Sequence, residues 1–281
     1  MLIKPPFYFA HCTDSLQGVE PATTTGVNFT AGANNADGAA VEVLSALSHD
    51  VHFLVIAISG VFVTTADGKC LLDVLVDPAG GSAWASTIDD LVCGYNPAAT
   101  SAAPQSVVYY FPLWIPSGSS IGVRARTAHT ADITVGRVVM WAYGEPSRPD
   151  MWWCGSRVET LGVTAASSAG TTVTPGSDGV FGDWTDIGSV TTGRYGAIQF
   201  GVNGSDATSA NAAYHWQVGY GSNRLPGSPT LWSGMVTTEN GARNGHQPIW
   251  CDIAEGTQMQ IRGTSSLASP ENLDLAIYGV H

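Results

Sequence analysis

The sequence predicts an all-β chain made of two tandem, duplicated β-sandwiches of jelly-roll-like form. Three observations carry this. The second half of the chain repeats the first. Short β-branched runs alternate with clusters of Gly, Asp, Asn and Pro. The one stretch that could pass for a helix, AAVEVLSAL (39–47), falls in the repeat opposite VFGDWTDIG, whose two Gly and two Asp are poor helix formers.

The repeat shows in four ordered matches. GVNFTAG (26–32) lies over GTTVTPG (170–176), with Gly26, Thr30 and Gly32 on Gly170, Thr174 and Gly176. Residues 37–60 align without a gap over 178–201, placing Asp37, Gly38 and Gly60 on Asp178, Gly179 and Gly201. FPLWIPSGSSIGVRA (111–125) lies over IWCDIAEGTQMQIRG (249–263), matching Ile115, Gly118 and Arg124 to Ile253, Gly256 and Arg262. VVMWAYG (138–144) lies over LDLAIYG (273–279), with Tyr143-Gly144 on Tyr278-Gly279. The implied domains are an N-terminal arm (1–24), a first sandwich (25–145), a linker (146–164) and a second sandwich (165–281).

Taken in order, VHFLVIAI (51–58) and LLDVLV (71–76) are apolar β runs bounded by turn residues. IGVRAR (121–126) and MQIRG (259–263) alternate, as half-buried strands do. DITVGRVVMWAY (132–143) is a strand whose Gly136 marks a bulge or bend. NNADG, ADGK, DPAGG, PSGSS and NGSD supply the turns.

Composition bounds the partners. The 281 residues are 44% hydrophobic and only 12% charged, with 33 glycines. Eleven basic residues face 23 acidic ones, a formal charge of −12. No basic run exists to neutralise phosphates, so nucleic acid is not an expected partner, and neither is an anionic membrane surface. No apolar run reaches transmembrane length. MLIKPPFYFAHC lacks the apolar core and cleavage site of a signal peptide, which implies synthesis in a cytosol. The five cysteines, Cys12, Cys70, Cys93, Cys154 and Cys251, lack metal-ligand spacing and read as free, mostly buried thiols. No cofactor is implied.

Several motifs invite chemistry. GSSIG (118–122) fits the nucleophile-elbow pattern, yet its counterpart GTQMQ has no serine and no helix is readable after the turn. It reads as a hairpin turn, with Ser120 catalytically silent. His49 and His52 in HDVH would point to opposite sides of a strand and have no histidine counterpart in the second copy, so no metal site is expected. Asp89-Asp90 and NNADG (34–38) could serve acid–base chemistry or bind calcium, but both read as solvated turns.

The aromatic residues are more informative. Trp114, Trp141, Trp184, Trp216 and Trp250 sit in strand-like contexts and are expected in cores or interfaces. Trp84, Tyr95, Tyr220 and Trp232 lie in or beside Gly/Ser/Asn/Pro segments. With Arg224 they could stack on and hydrogen-bond to a sugar; contact with neighbouring subunits is the other reading. The arm carries Leu2, Ile3, Phe7, Tyr8 and Phe9, costly to leave in water, while Pro5 and Pro6 keep it extended. It is expected to dock on another chain, or across the linker near Trp152 and Trp153; covering its own sandwich is the alternative.

The pattern G-x-x-V/F-T-x-G, followed by D-G-x-x-x-x-V/W-x-x-A/I, within long Ala/Gly/Ser-rich β domains ending in a Tyr-Gly strand, resembles accessory virion proteins of tailed phages and gene transfer agents. These are head-decoration, head-spike and tail-fibre components. The resemblance implies symmetric assembly with other virion proteins or copies of itself on a particle, often with carbohydrate recognition at a host surface. The expected function is therefore a non-enzymatic structural or accessory protein of a virion. A receptor- or capsule-polysaccharide-binding spike or fibre is the alternative. A glycan-acting enzyme is a more remote one, because the carboxylates look scattered along the sequence.

Overall fold

The computed structural model describes residues 26–32, 35–62, 68–96, 106–127, 135–144, 154–203, 212–225, 231–235, 248–270 and 272–281. Side chains at 59–62, 68–69, 94–96, 106, 135, 212 and 231–235 lie outside that description. So do the arm residues Leu2, Ile3, Phe7, Tyr8 and Phe9, together with Cys12, Trp152 and Trp153.

The described residues are all-β. The first unit holds β1 (Val27–Thr30), β2 (Val41–Leu44), β3 (Phe53–Phe62), β4 (Gly68–Asp77), β5 (Ala85–Asn96), β6 (Ser106–Phe111), β7 (Ser120–Thr127) and β8 (Val135–Tyr143). They form two antiparallel sheets, ordered β1-β8-β3-β6 and β2-β7-β4-β5, which is the winding of a jelly roll.

The second unit holds β9 (Val158–Leu161), β10 (Thr171–Val173), β11 (Thr185–Asp186), β12 (Tyr195–Asn203), β13 (Ala212–Tyr220), β14 (Asn223–Arg224), β15 (Leu231–Met235), β16 (Ile249–Ile253), β17 (Met259–Ser265) and β18 (Leu273–Val280). Its sheets run β10-β18-β12-β16 and β11-β17-β13-β14, with β9 added on β18 and β15 on β13. Residues 158–161, part of the linker in the sequence reading, are thus a strand paired with Ile277–Val280.

The two units superimpose in hydrogen-bond register. Gly32 and Gly38 both donate their N–H to the Ala125 carbonyl, and Gly176 and Gly182 both donate to Gly263. Val51 bridges Ile115 as Tyr195 pairs Ile253. Gly26–Gly32 on Gly170–Gly176 and Arg124 on Arg262 agree with these bonds. Two stretches need correction. Gly38 is equivalent to Gly182, not Gly179, so residues 37–60 correspond to a stretch three residues later than sequence matching placed it. Phe53↔Tyr143 answers Ala197↔Val280, so Tyr143 falls on Val280 rather than Tyr278. Gly-rich matching slips because a bulge or a longer turn shifts identities without disturbing the ladder.

Strand period explains the cores. Leu54, Ile56 and Ile58 of β3 and Val138, Met140 and Ala142 of β8 point inward and are almost wholly buried. In the second unit Ile198, Phe200 and Val202 do the same beside Trp216 and Leu275. The stretch 39–47 contains β2 rather than a helix, and Ala46, at φ 36°, turns the chain just after it.

The units share buried surface. Ala197, Ala276, Tyr278 and Val280, on the outer face of the β12–β18 sheet, belong to the first unit's core cluster. The Val92 N–H donates to Tyr278 Oη (2.8 Å), which donates to the Asp90 carbonyl (3.0 Å); Tyr109 Oη donates to the Val92 carbonyl (2.6 Å). A Cβ at Gly201 would lie 2.9 Å from Tyr109 Oη, so the bare glycine permits this approach.

The GSSIG segment is a turn leading into strand β7. Gly118 has φ 81°, and Ser120 Oγ accepts the Ala46 N–H at 3.3 Å. Cys70 and Cys93 are buried, Cys154 and Cys251 half-buried, and all four are free thiols.

Candidate functional site

The outer face of the first unit's second sheet carries charges inside apolar strands. Asp73 interrupts LLDVLV on β4, directly opposite Arg124 on β7. Two residues on, Arg126 emerges on the same face. The β4–β5 ladder slips between Leu72 and Val74, and Asp90 sits at this bulge with φ 59°. Aspartate tolerates that left-handed conformation better than most residues.

The bulge aims Asp90 at Arg126. Arg126 Nε and Nη2 donate to Asp90 Oδ1 at 3.0 and 2.6 Å. The Asp90 N–H donates to Asp73 Oδ1 (2.9 Å), and Arg124 Nε donates to Asp73 Oδ2 (2.8 Å). Arg124 Nη2 also lies 3.2 Å from Asp37 Oδ2. Burial raises the Asp73 carboxyl above its ordinary value, against the lowering by the Asp90 N–H and Arg124. Burial also raises Asp90, against the pull of Arg126.

The second unit closes the other side. Arg126 Nη1 donates to the Ala166 carbonyl, and Thr160 Oγ1 donates to the Asp89 carbonyl (2.5 Å). Glu159 accepts the Thr192 N–H (2.9 Å) and the Tyr195 hydroxyl. Burial, then that bond to Glu159, pushes the Tyr195 hydroxyl well above its ordinary value. Between the units lies a cleft of about 620 Å³, bounded by Asp37, Asp89, Asp90, Arg157, Glu159 and Thr192, among others.

This overturns two sequence readings. Asp89-Asp90 is a bulge inside β5, not a solvated turn. The carboxylates that look scattered along the chain converge on one cleft. The signal that could have exposed them was a charge placed inside an apolar strand, which needs a partner to be buried.

The equivalent position of the second unit carries different chemistry among the described residues. Arg262, equivalent to Arg124, donates from Nε to Gln217 Oε1 (3.0 Å), where the first unit has Asp73. Its guanidinium lies over the rings of Phe181 (5.0 Å) and Trp184 (4.5 Å). The register puts Phe181 at the position of Asp37. An ionic cage in one unit is a cation–π cage in the other.

The sequence-predicted sugar platform is divided between units. Trp84 is half-buried in the β4–β5 hairpin, its ring against Gly122. Tyr220 (36% exposed) and Arg224 flank the β13–β14 hairpin. Val76↔Ala85 and Tyr220↔Asn223 close these equivalent hairpins of the two jelly rolls. Tyr95 lies on β5 and Trp232 on β15, with side chains outside the description. Trp216 is core, whereas Trp114 is 43% exposed.

No family model and no curated protein matches the chain. Among solved structures it is similar to the tandem CBM22-1–CBM22-2 domains of Xyn10C from Paenibacillus barcinonensis, at 9% identity, over 88% of this chain and 84% of that one, with a TM-score of 0.27. Tripeptidyl peptidase 2 matches at 9% identity and a TM-score of 0.25, over 92% of this chain but 23% of that one.

Proposed function

We propose that the chain is a non-catalytic recognition protein that binds a saccharide in the cleft between its two sandwiches. One observation carries the reading: the cleft is lined by fixed Asp–Arg pairs whose planar groups present donors and acceptors at set distances. Such groups suit vicinal hydroxyls, and Thr160, Thr164, Thr192 and Asn35 extend the polar lining. The volume lies within the range of about 300–1,000 Å³ usual for ligand sites. Five acidic residues (Asp37, Asp73, Asp89, Asp90, Glu159) against three arginines (Arg124, Arg126, Arg157) argue against a polyanion. The commitment of Asp73 and Asp90 to arginines favours binding over acid–base chemistry. A place on the surface of a phage-like particle, alongside other virion proteins, is the setting that the sequence resemblance supports.

The test is a glycan array followed by calorimetry on the full chain. Arg157 is exposed at the cleft rim, so Arg157→Ala should fold normally and weaken binding about tenfold or more, while Trp84→Ala and Tyr220→Ala leave it unchanged. No binding to any glycan, or loss only with Trp84→Ala or Tyr220→Ala, defeats the cleft reading.

A further inference from the structure

Two cysteines face each other across the first unit's second sheet. Leu72↔Leu91 and Leu71↔Val92 pair along β4 and β5, and the ladder slips by one residue before Lys69↔Tyr95. Cys93 and Gly94 are thus the two residues set against Cys70. Cys70 and Cys93 are both fully buried, in one core cluster with Leu72 and Leu91. The Cys93 thiol lies within hydrogen-bonding reach of the Cys70 thiol and donates to the Leu91 carbonyl at 3.6 Å.

Residues opposite each other in an antiparallel pair have Cα atoms about 4.5–5.5 Å apart. A disulfide spans about 4.4–6.8 Å between Cα atoms. The strand spacing therefore already suits a bond between these two sulfurs. The equivalent place in the second unit has none to offer. Tyr214 pairs Ser265 on β17 as Cys70 pairs Thr127 on β7, and Tyr214 faces Ser233 on β15.

We propose that Cys70 and Cys93 are a disulfide-forming pair that ties β4 to β5, oxidised by exchange with a small-molecule disulfide such as oxidised glutathione. One thiolate of the pair attacks a sulfur of that disulfide, and one glutathione leaves as its thiolate. The other cysteine thiolate then attacks the protein sulfur of the mixed disulfide, and the second glutathione leaves. The chain gives up two protons and two electrons, and the oxidant is reduced to two thiols. Burial, then the Cys70 contact, holds the Cys93 thiol well above its ordinary value, so the closed pair is slow to ionise and react. Exchange therefore proceeds while β4 and β5 are apart, during folding or local opening, and the core shields the finished bond. The bond closes the stretch 71–92, which restricts the unfolded chain. It also pins β5 close to Asp90, whose bulge aims it at Arg126.

The inference does not rest on the cleft reading, and its test is independent of glycan binding. The full chain, held with oxidised glutathione in urea below its unfolding midpoint, should lose the mass of two hydrogens. Its non-reduced digest should contain a peptide pair joining Cys70 to Cys93. The oxidised chain should unfold at a higher urea concentration than the reduced one, a difference that Cys93→Ala and, separately, Cys70→Ala should abolish. Cysteines 70 and 93 that both remain alkylatable after denaturation overturn the proposal. So do glutathione adducts at these positions without a bridge, or a bridge from either to another cysteine.

Discussion

Asp77 shows how one carboxylate closes a hairpin. Its Oδ1 accepts the Ala79 N–H (2.9 Å) and its Oδ2 the Ala83 N–H (3.0 Å), fixing the turn between β4 and β5. These bonds, the Ala79 one foremost, hold the carboxyl below its ordinary value. Its contribution is therefore present above the unfolded value of about 3.9 and is lost as pH falls through the lower folded value. Asp77→Asn should lower the melting temperature at pH 7, and the gap to wild type should narrow toward pH 3. Asp73 and Asp90 work in the opposite sense. Their raised values mean that the folded chain gives up these protons at higher pH than the unfolded one. Stability thus declines as pH rises from about 3.9 through their folded values. Urea titrations from pH 4 to 6 should show that slope flattened in Asp90→Asn. The same Asp90 makes Arg126→Met costly, by about 3–5 kcal/mol, because a half-buried carboxylate loses its partner. A loss under about 1 kcal/mol, typical of exposed pairs, would mean that solvent screens this pair.

At the scale of elements, β5 joins the two sandwiches. Its Val92 offers N–H to Tyr278 and its carbonyl to Tyr109, rings that meet edge to face at 5.6 Å. Tyr278→Phe keeps the ring and strands the buried Val92 N–H, so it should cost about 1–3 kcal/mol in chemical denaturation. Gly201→Ala on the facing strand drives a methyl to 2.9–3.0 Å from Tyr109, Tyr278 and Val92, with an expected cost of about 1–3 kcal/mol. Together the two should cost less than their sum, since both act at one contact.

For the whole molecule, a shared core implies shared unfolding. Val158, Ala197, Ala276, Tyr278 and Val280 of the second unit pack within the first unit's cluster. Calorimetry should therefore show one cooperative transition, shifted down as a whole by Tyr278→Phe. Two resolved transitions, with only one moved by that change, would show the units to be thermodynamically separate.

The amino-acid order by itself determined the all-β class, the duplication and the rejection of helix at 39–47. Period-two apolar runs, turn residues and recurring glycines are local signals, and two copies of each let one correct the other. Arg124 on Arg262 was legible for the same reason. The cleft was not. Asp37, Asp73, Asp90 and Arg126 are far apart along the chain, and Asp90 reaches Arg126 through a single-residue slip in the β4–β5 ladder that no local pattern encodes. Nor could composition show that Arg124 sits among carboxylates while Arg262 sits between aromatic rings. Which side chains meet across a sheet, and which face of a repeat is covered by its twin, follow from register and from docking of the two sandwiches. Those were decided only by the tertiary structure, because they depend on contacts between residues the sequence keeps apart.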